Sequence, residues 1–450
     1  MIVHKVYHKV GMLLGLTLAF FGGAQAQEKP NIVIFLSDDH GQEDAGCYGN
    51  SAVKTPVIDQ LARDGMVFSR AYTPVSVCAP SRSALFTGLY PHRNGCDRNH
   101  GEVHSDVRSL PHYLSAAGYD VVLAGKVHVK PAAAFPFIYM ERHQIPAFLS
   151  GKRERPFCLV VSLNAPHQPY FNLKGGHGKI IPKPWMPRTS ETERYTAAYY
   201  DHLALADQEI GSVLYWLERY DLGKSSIQLY LSDHGPAFPF AKWTLYEQGI
   251  RIPLIVKWPG VVAPGSTSEA LVSMVDILPT LLDMAGIAHR GVFDGKSMVP
   301  ILKQQVATVN DRVYGCYTNL GVQGANEYPI RTIIGERYKL IVNLRPANRF
   351  SLKAMDEPDK RAVIDAQMVL DSWPLSGDAG ATRARSYRSR PAVELYDLLE
   401  DPHELTNRAQ DDNLHGTVTT MYWALAGWMN EQRDPLWNEM QTTGTDLYIK

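Results

Sequence analysis

The stretch NIVIFLSDD, Asn31 to Asp39, is an uninterrupted apolar run of strand length that stops on two aspartates. A strand apolar on both faces belongs inside a sheet that is covered on both sides, which is the condition of parallel sheets. Runs of the same kind follow in DVVLAG from Asp120, FCLVVSLN from Phe157, SIQLYLS from Ser226 and PLIVKW from Pro253. Between several of them lie amphipathic helical patterns, VIDQLARDG, SLPHYLSAAG and the long TERYTAAYYDHLALADQEIGSVLYWLERY. This alternation predicts an α/β core at residues 28–305, a large mixed, mostly parallel sheet sandwiched by helices. Beyond it, RTIIGERYKLIVNL reads as a hairpin turning near Gly335, AVELYDLLEDP as a strand and HGTVTTMYWALAGWMNEQ as a helix. Residues 306–450 are therefore expected to form a smaller C-terminal antiparallel α+β domain. KGGHGKIIPKPWMPRTS and DSWPLSGDAGATRARSYRSRP, rich in Gly, Pro and charge, read as loops.

The 450 residues are 45% hydrophobic and 20% charged, an ordinary globular composition with ample material for a core. Residues 1–26 have a basic start (Lys5, Lys9), an apolar middle and a small-residue end at Ala24-Gln25-Ala26, the pattern of a secretory signal. A periplasmic or secreted location is expected, with no membrane association once the signal is removed. Its removal moves the formal net charge from −1 to −3. A slightly acidic body argues against nucleic acid as a partner, so any bound anion needs a local basic cluster. The five cysteines, Cys47, Cys78, Cys96, Cys158 and Cys316, are widely spaced and odd in number, which fits neither a disulfide framework nor a zinc pattern. Cys158, within an apolar run, reads as core packing.

The polar residues at the strand ends are not scattered. Asp38 and Asp39 end the first strand, Lys126 and His128 follow DVVLAG, His167 follows FCLVVSLN, and Asp233-His234-Gly235 follows SIQLYLS. Open α/β sheets bind ligands at the carboxyl ends of their strands, so these side chains converge on one edge. Three aspartates from two strand ends suggest a hard divalent cation, which takes oxygen ligands; His234 is the less suited member of such a set.

SVCAPSRSALFTG, Ser76 to Gly88, places Cys78 at the start of a helix, because Pro80 and Ser81 suit first-turn positions. A helix N-terminus favours negative charge, and Arg82 stands one turn away. Taken alone, Cys78 reads as a small core residue or as a thiolate nucleophile.

CAPSRSALFTG resembles the signature of the type I, formylglycine-dependent sulfatases of the alkaline-phosphatase-like superfamily. VIFLSDDHG, AGKVHV, NAPHQP, YLSDHG, RIPLIVKWPG and ELYDLLEDPHELTN resemble further blocks of that family, in family order. Within it, SVCAPSRSALFTGLYPHRNG, GKVHVKPAAAFPF, EYPIRTIIGERYKLIVNL and RDPLW are similar to the heparan N-sulfatase (sulfamidase) branch, which has bacterial relatives acting on algal polysaccharides. The segment from Phe137 to Pro156 is short for that group, as if a helix of the core edge had been lost.

The resemblance implies that Cys78 is converted by a formylglycine-generating enzyme to Cα-formylglycine, whose hydrate is the nucleophile. It implies one Ca²⁺ held by Asp38, Asp39, Asp233, His234 and an oxygen of the modified Cys78. Arg82 would polarise the sulfate, Lys126 and Lys242 would grip it, and His167 with Lys242 would protonate the leaving group. His128 would help residue 78 expel sulfate, and Asp233 would take the hydrate's proton. The implied substrate is a sulfated carbohydrate, as an ester or an N-sulfate. A phosphonate monoester or phosphodiester hydrolase of the same superfamily is the alternative, and a non-catalytic carbohydrate-binding protein is a remoter one. The stretch HRNGCDRNHGEVH, His92 to His104, is rich in side chains that could read sugar hydroxyls or a second anion (Arg93, Arg98, Asn99, His100, His104), or is simply a polar surface loop.

Overall fold

The computed structural model describes residues 29–171, 173, 176–289, 293–352 and 365–448, with the side chains of 443–448 left out. The expected signal segment lies outside the described residues. Among the described residues nine strands form the larger sheet. They are β1 Asn31–Ser37, β2 Met66–Tyr72, β3 Asp120–Gly125, β4 Ile138–Met140, β5 Phe157–Ser162, β6 Ser226–Ser232, β7 Arg251–Lys257, β8 Ser266–Ser268 and β9 Val272–Ser273. The order is β4-β3-β5-β1-β6-β7-β2-β8, with β9 also beside β2. β7 runs against both its neighbours and every other pairing is parallel.

The alternation of side chains along each strand divides the core into two layers. Ile32, Ile34 and Leu36 of β1 point to the layer shared with the helices Cys78–Thr87 and Ile277–Met284. Val33 and Phe35 point to the opposite layer, with the helices Pro56–Asp64 and Ser190–Arg219. Cys158 is buried in the first layer, as its apolar surroundings predict. The long helix is capped by Thr189, whose side chain accepts from the Thr192 amide. In turn its Asp207 carboxylate accepts from the amides of Val57 (3.1 Å) and Ile58 (2.9 Å), satisfying the start of Pro56–Asp64.

A second sheet is antiparallel, in the order β10 Val313–Tyr317, β11 Ile330–Ile334, β12 Tyr338–Asn343, β13 Val393–Asp397. The helix His415–Glu431 packs on one face, and the other face joins an aromatic cluster that includes Tyr246, Phe240 and Trp373. The protein is thus a mostly parallel α/β sandwich with a small antiparallel α+β part, the architecture expected from the sequence. A buried ion cluster joins the two sheets. Lys339 of β12, wholly buried, donates to Glu247 Oε1 at 3.0 Å and reaches Glu404 Oε1 at 2.8 Å.

One reading of the sequence needs revision, and two strands escaped it. MVFSRAY and VYGCY are strands β2 and β10, which the apolar-run criterion passes over because polar or glycine residues interrupt them. DSWPLSGDAGATRARSYRSRP is not a plain loop, since it carries the helix Asp378–Arg388. Its Ala and Arg residues favour a helix once Gly377 is passed, and packing fixes it in place: Tyr387 is buried and the Arg383 guanidinium lies 3.6 Å over the Phe240 ring. Between Phe137 and Pro156 the chain forms the edge strand β4 and the helix Ile145–Ser150, and leaves Ile138 and Tyr139 exposed.

Replacing Lys339 by Met would strand two buried carboxylates. The expected loss is about 3–5 kcal/mol of unfolding free energy, the cost of breaking a buried ion cluster, read by urea denaturation of the full chain. Adding Glu247→Gln and Glu404→Gln should recover part of it, because the uncompensated charge is then gone.

Candidate active site

β3, β5, β1 and β6 are adjacent and parallel, so the residues that follow them meet at one edge of the sheet. Gly125 ends β3 with φ +106, a turn that glycine makes without strain, and Lys126 comes next. Opposite this edge, Cys78 is the first residue of the helix Cys78–Thr87, all ten of whose residues are buried. Pro80 sits in the first turn, where no amide partner is needed, and Gly88 ends the helix at φ 65 with its amide on Ala84 O.

The Cys78 sulfur lies 3.3 Å from His234 Nε2, 3.6 Å from Asp38 Oδ1 and 3.7 Å from Lys126 Nζ. Burial pushes the thiol up, but Lys242, Lys126 and His234 outweigh it and hold the group well below its ordinary value. Arg82, wholly buried, donates from Nε to Asp233 Oδ2 (2.9 Å) and from Nη1 to Ser162 Oγ (2.7 Å). Its Nη2 has no hydrogen-bond partner among the described residues and lies 3.8 Å from Asp38 Oδ2.

Asp38 is paired with Lys126. Burial, Asp233 and Cys78 push its carboxyl up to about 8 against the pull of Arg82 and Lys126. Asp39 is paired with Lys242, whose Nζ stands 2.7 and 2.9 Å from its two oxygens. Asp233 continues the β1–β6 ladder through its amide to Ser37 O, and its Oδ1 accepts from the Asp39 amide at 3.2 Å. Burial opposes ionisation of Asp233, but His234 and Arg82 hold it down at about 2. His234 donates from Nδ1 to Gly235 O (2.9 Å), which turns Nε2 inward, 3.5 Å from Asp39 Oδ1 and 3.6 Å from Asp233 Oδ1. Gly235 is required here, since a Cβ would lie 1.8 Å from Gln248 O.

A divalent ion fits this cluster. One ligand atom each from Asp38, Asp39, Cys78 and His234 falls within 4.8 Å of all the others, and all four residues are buried. A buried carboxyl driven toward protonation, as that of Asp38 is, is one that a cation would hold ionised. Asp233 stands outside this set of four, with both oxygens already engaged by Arg82 and the Asp39 amide.

The remaining residues complete a ring around Cys78. Lys242 is flanked by Phe240 and Trp243, both in the left-handed region (φ 64 and 67), and the Trp243 amide donates to Ser76 O at 3.0 Å. Asp39 (φ 69) and His128 (φ 45) are left-handed too. Backbone held in this region costs of order 1–3 kcal/mol per residue, and it gathers where function fixes side-chain direction. His167 donates from Nδ1 to Gln168 O (2.5 Å) and bears on Cys78; burial and Lys242 lower it, yet Asp39 and Cys78 leave it raised. His128 Nε2 meets His100 Nδ1 at 3.0 Å. The centre can therefore hold an anion among a guanidinium and two ammonium groups, next to the Cys78 side chain and its three imidazole neighbours.

The sulfatase family profile matches residues 30–138 and 142–287. The chain belongs to the sulfatase family. It is a sulfuric ester hydrolase. The C-terminal profile of N-sulphoglucosamine sulphohydrolase matches residues 235–367. An ulvan-active sulfatase of Formosa agariphila is 34% identical, over 92% of this chain and 82% of its own length. The N-sulphoglucosamine sulphohydrolase of Homo sapiens is 31% identical, over 90% of this chain and 91% of its own length. A protein solved in complex with its substrate D-glucosamine-2-N,6-O-disulfate superposes with a TM-score of 0.69 at 20% identity, over 90% of this chain and 99% of that one; this likeness shows the fold alone.

The rim of the sulfatase site is partly spoken for. In the His92–His104 stretch, Arg93 is paired with Asp294 and Arg98 with Asp97, while the His104 ring lies under Gly95. His92 is paired with Asp434, away from the rim residues. Two contributors were missed in the sequence. Ser162 at the end of β5 receives Arg82, and Ser81 donates to Asp233 O at 2.5 Å. The strand-end position marks Ser162 in principle, whereas Ser81 reads only as part of the signature.

Proposed function

We propose that this sulfatase removes sulfate from a sulfated polysaccharide or oligosaccharide, as an O-ester or an N-sulfate, with a formylglycine at residue 78 and one Ca²⁺. The observation that carries the reading is the surround of Cys78 at the helix start: His234, Asp38 and Lys126 within 3.7 Å of its sulfur, and Arg82 one turn behind. The substrate class rests on relatives named for ulvan and for N-sulphoglucosamine. The segment at residues 1–26 supports a periplasmic or secreted location, and residues 28–305 and 306–450 are taken as the catalytic domain and its C-terminal companion. Among the described residues no helix is long and apolar enough to cross a membrane.

The Cys78 sulfur marks the place that the oxygens of an aldehyde hydrate would take. Such a hydrate supplies one hydroxyl to attack sulfur and a second whose collapse to a carbonyl releases sulfate. Asp38, Asp39 and His234 are placed to hold Ca²⁺ beside it, with Asp233 as a close neighbour, and the ion supplies fixed positive charge toward the sulfate oxygens. Arg82, Lys126 and Lys242 add preorganised cations where charge moves in the transition state. Asp233, bonded to Arg82 through Oδ2, would serve as the counter-ion of that guanidinium, beside its expected part in taking the hydrate's proton. The rest of the proton handling falls to the histidines. His167, fixed through Nδ1 by Gln168 O, turns Nε2 to the leaving-group side with Lys242 nearby. His128 faces residue 78 from the other side.

Protein co-produced with a formylglycine-generating enzyme should carry an aldehyde at residue 78, seen by peptide mass and hydrazide labelling. It should release sulfate from defined ulvan, heparan or carrageenan oligosaccharides faster than it cleaves an aryl phosphonate. Full activity with an intact thiol would overturn the formylglycine assignment, and preference for the phosphonate would favour the alternative hydrolase. Ca²⁺ should raise the thermal midpoint, by the equivalent of about 2.7 kcal/mol at a hundred times its Kd. Asp39→Asn should abolish that shift. His167→Ala should slow alkyl sulfate turnover by about 10²–10⁴ and a nitrophenyl sulfate far less, because the phenolate needs no proton. His128→Ala should slow both alike.

A further inference from the structure

His128 is not alone on its side of the centre. Its Nε2 lies 3.0 Å from Nδ1 of His100, and the two rings are tilted by 41° with centroids 4.8 Å apart. Two imidazoles that share a hydrogen bond need one N–H and one lone pair between them. We propose that His100 is a positioning residue: its Nδ1 accepts a hydrogen bond from His128 Nε2–H, which fixes the His128 tautomer and leaves His128 Nδ1 as a bare lone pair facing residue 78. The proposal rests on the sulfatase reading above for its catalytic meaning, though the pairing itself does not.

Several observations on the two rings agree on this direction. His128 Nδ1 is buried, has no geometric hydrogen-bond partner among the described residues, and is the ring nitrogen that the His100 contact leaves free. The reverse pairing would put the proton on Nδ1 of both rings, the less favoured tautomer of neutral histidine. In the proposed direction both rings carry it on Nε2, and that of His100, an exposed residue, faces solvent. Burial and the facing His128 hold His100 below its ordinary value, which favours the neutral ring that the pairing needs.

The pair is built rather than incidental. Both histidines sit in the left-handed region, at φ 59 for His100 and φ 45 for His128, which neither adopts without support. That support comes from the flanking amides. Val103 donates to Lys130 O at 2.9 Å, stapling the His100 loop to the His128 loop, and Asn99 donates to Leu320 O at 3.1 Å, fixing the other side against the C-terminal part. In this arrangement the proton that leaves a hydroxyl on residue 78 goes to His128 Nδ1, forming an N–H bond as the O–H bond breaks. The imidazolium so formed is stabilised through its Nε2–H by His100, as an orienting partner stabilises a catalytic histidine.

Two measurements test this. The first needs neither substrate nor modified residue 78. In full-length protein labelled with ¹⁵N-histidine, a long-range proton–nitrogen spectrum should show His128 protonated on Nε2 and bare on Nδ1, with a nitrogen–nitrogen coupling across the bond to His100 Nδ1. A His128 protonated on Nδ1, or no coupling, would overturn the pairing. The second is kinetic. His100→Ala should lower kcat by about ten- to a hundredfold, the range seen when an orienting partner is removed, and leave KM within about twofold. His100→Asn, whose side-chain oxygen falls near the position of Nδ1, should restore most of kcat. A raised KM with unchanged kcat would instead make His100 a substrate contact and overturn the positioning role, as would equal losses in the Ala and Asn variants. If the coupling is seen and no sulfate ester is turned over, the sulfatase reading fails while the pairing stands.

Discussion

Arg82 and Asp233 are wholly buried and bonded to each other at 2.9 Å, and the geometry of the centre depends on that pair. Neither charge can be relieved alone: removing one partner leaves the other in a medium where an isolated ion is very costly. The pair locks the helix that begins at Cys78 to the end of β6, and the second contact of Arg82, on Ser162, locks the same helix to the end of β5. Asp233 in turn fixes the Asp39 amide at the end of β1. One guanidinium thus sets the relation between the nucleophile and three strands. Its remaining nitrogen has no hydrogen-bond partner among the described residues and lies 3.8 Å from Asp38 Oδ2.

The ammonium groups show the same economy. Lys126 and Lys242 each face one aspartate of the β1 end, so the first strand presents two carboxylates with a cation on either side. A cluster of buried like charges is stable only when opposite charges interleave with it, and here the interleaving charges are those an anionic substrate would meet. Local backbone strain at Asp39, His128, Phe240 and Trp243 is the cost of holding these side chains in place.

Much of this could be read from the chain. An apolar run ending in Asp38-Asp39 identifies a central strand and its functional end together, because parallel strands must be buried on both faces and must finish on one edge. Pro80 after Cys78 marks the helix start for the local reason that proline lacks an amide. What could not be read lies in contacts between distant segments. Nothing local says that β7 runs backwards, that Ser162 rather than a carboxylate receives Arg82 Nη1, or that Asp233 spends both oxygens on its neighbours. The helix Asp378–Arg388 escaped for a related reason, since Tyr387 and Arg383 find their partners only after folding. A reading by residue type also treats His100 and Arg93 alike, though in space one meets His128 and the other is neutralised by Asp294.

The depth of the centre sets its buried charges apart from the loops above them. Arg82, Asp38, Asp39, Asp233 and His234 are 0% exposed and Cys78 only 3%. A group that reaches such a floor must be small, so the buried charges read an anion and not what carries it. Discrimination is confined to the loops at the lip, contributed by the His92–His104 stretch and the segment that follows β10, which meet where the Asn99 amide bonds Leu320 O. The lip is tied inward at two points, for His92 is paired with buried Asp434 and His100 meets His128, so a change in the loop is felt by the charges beneath it.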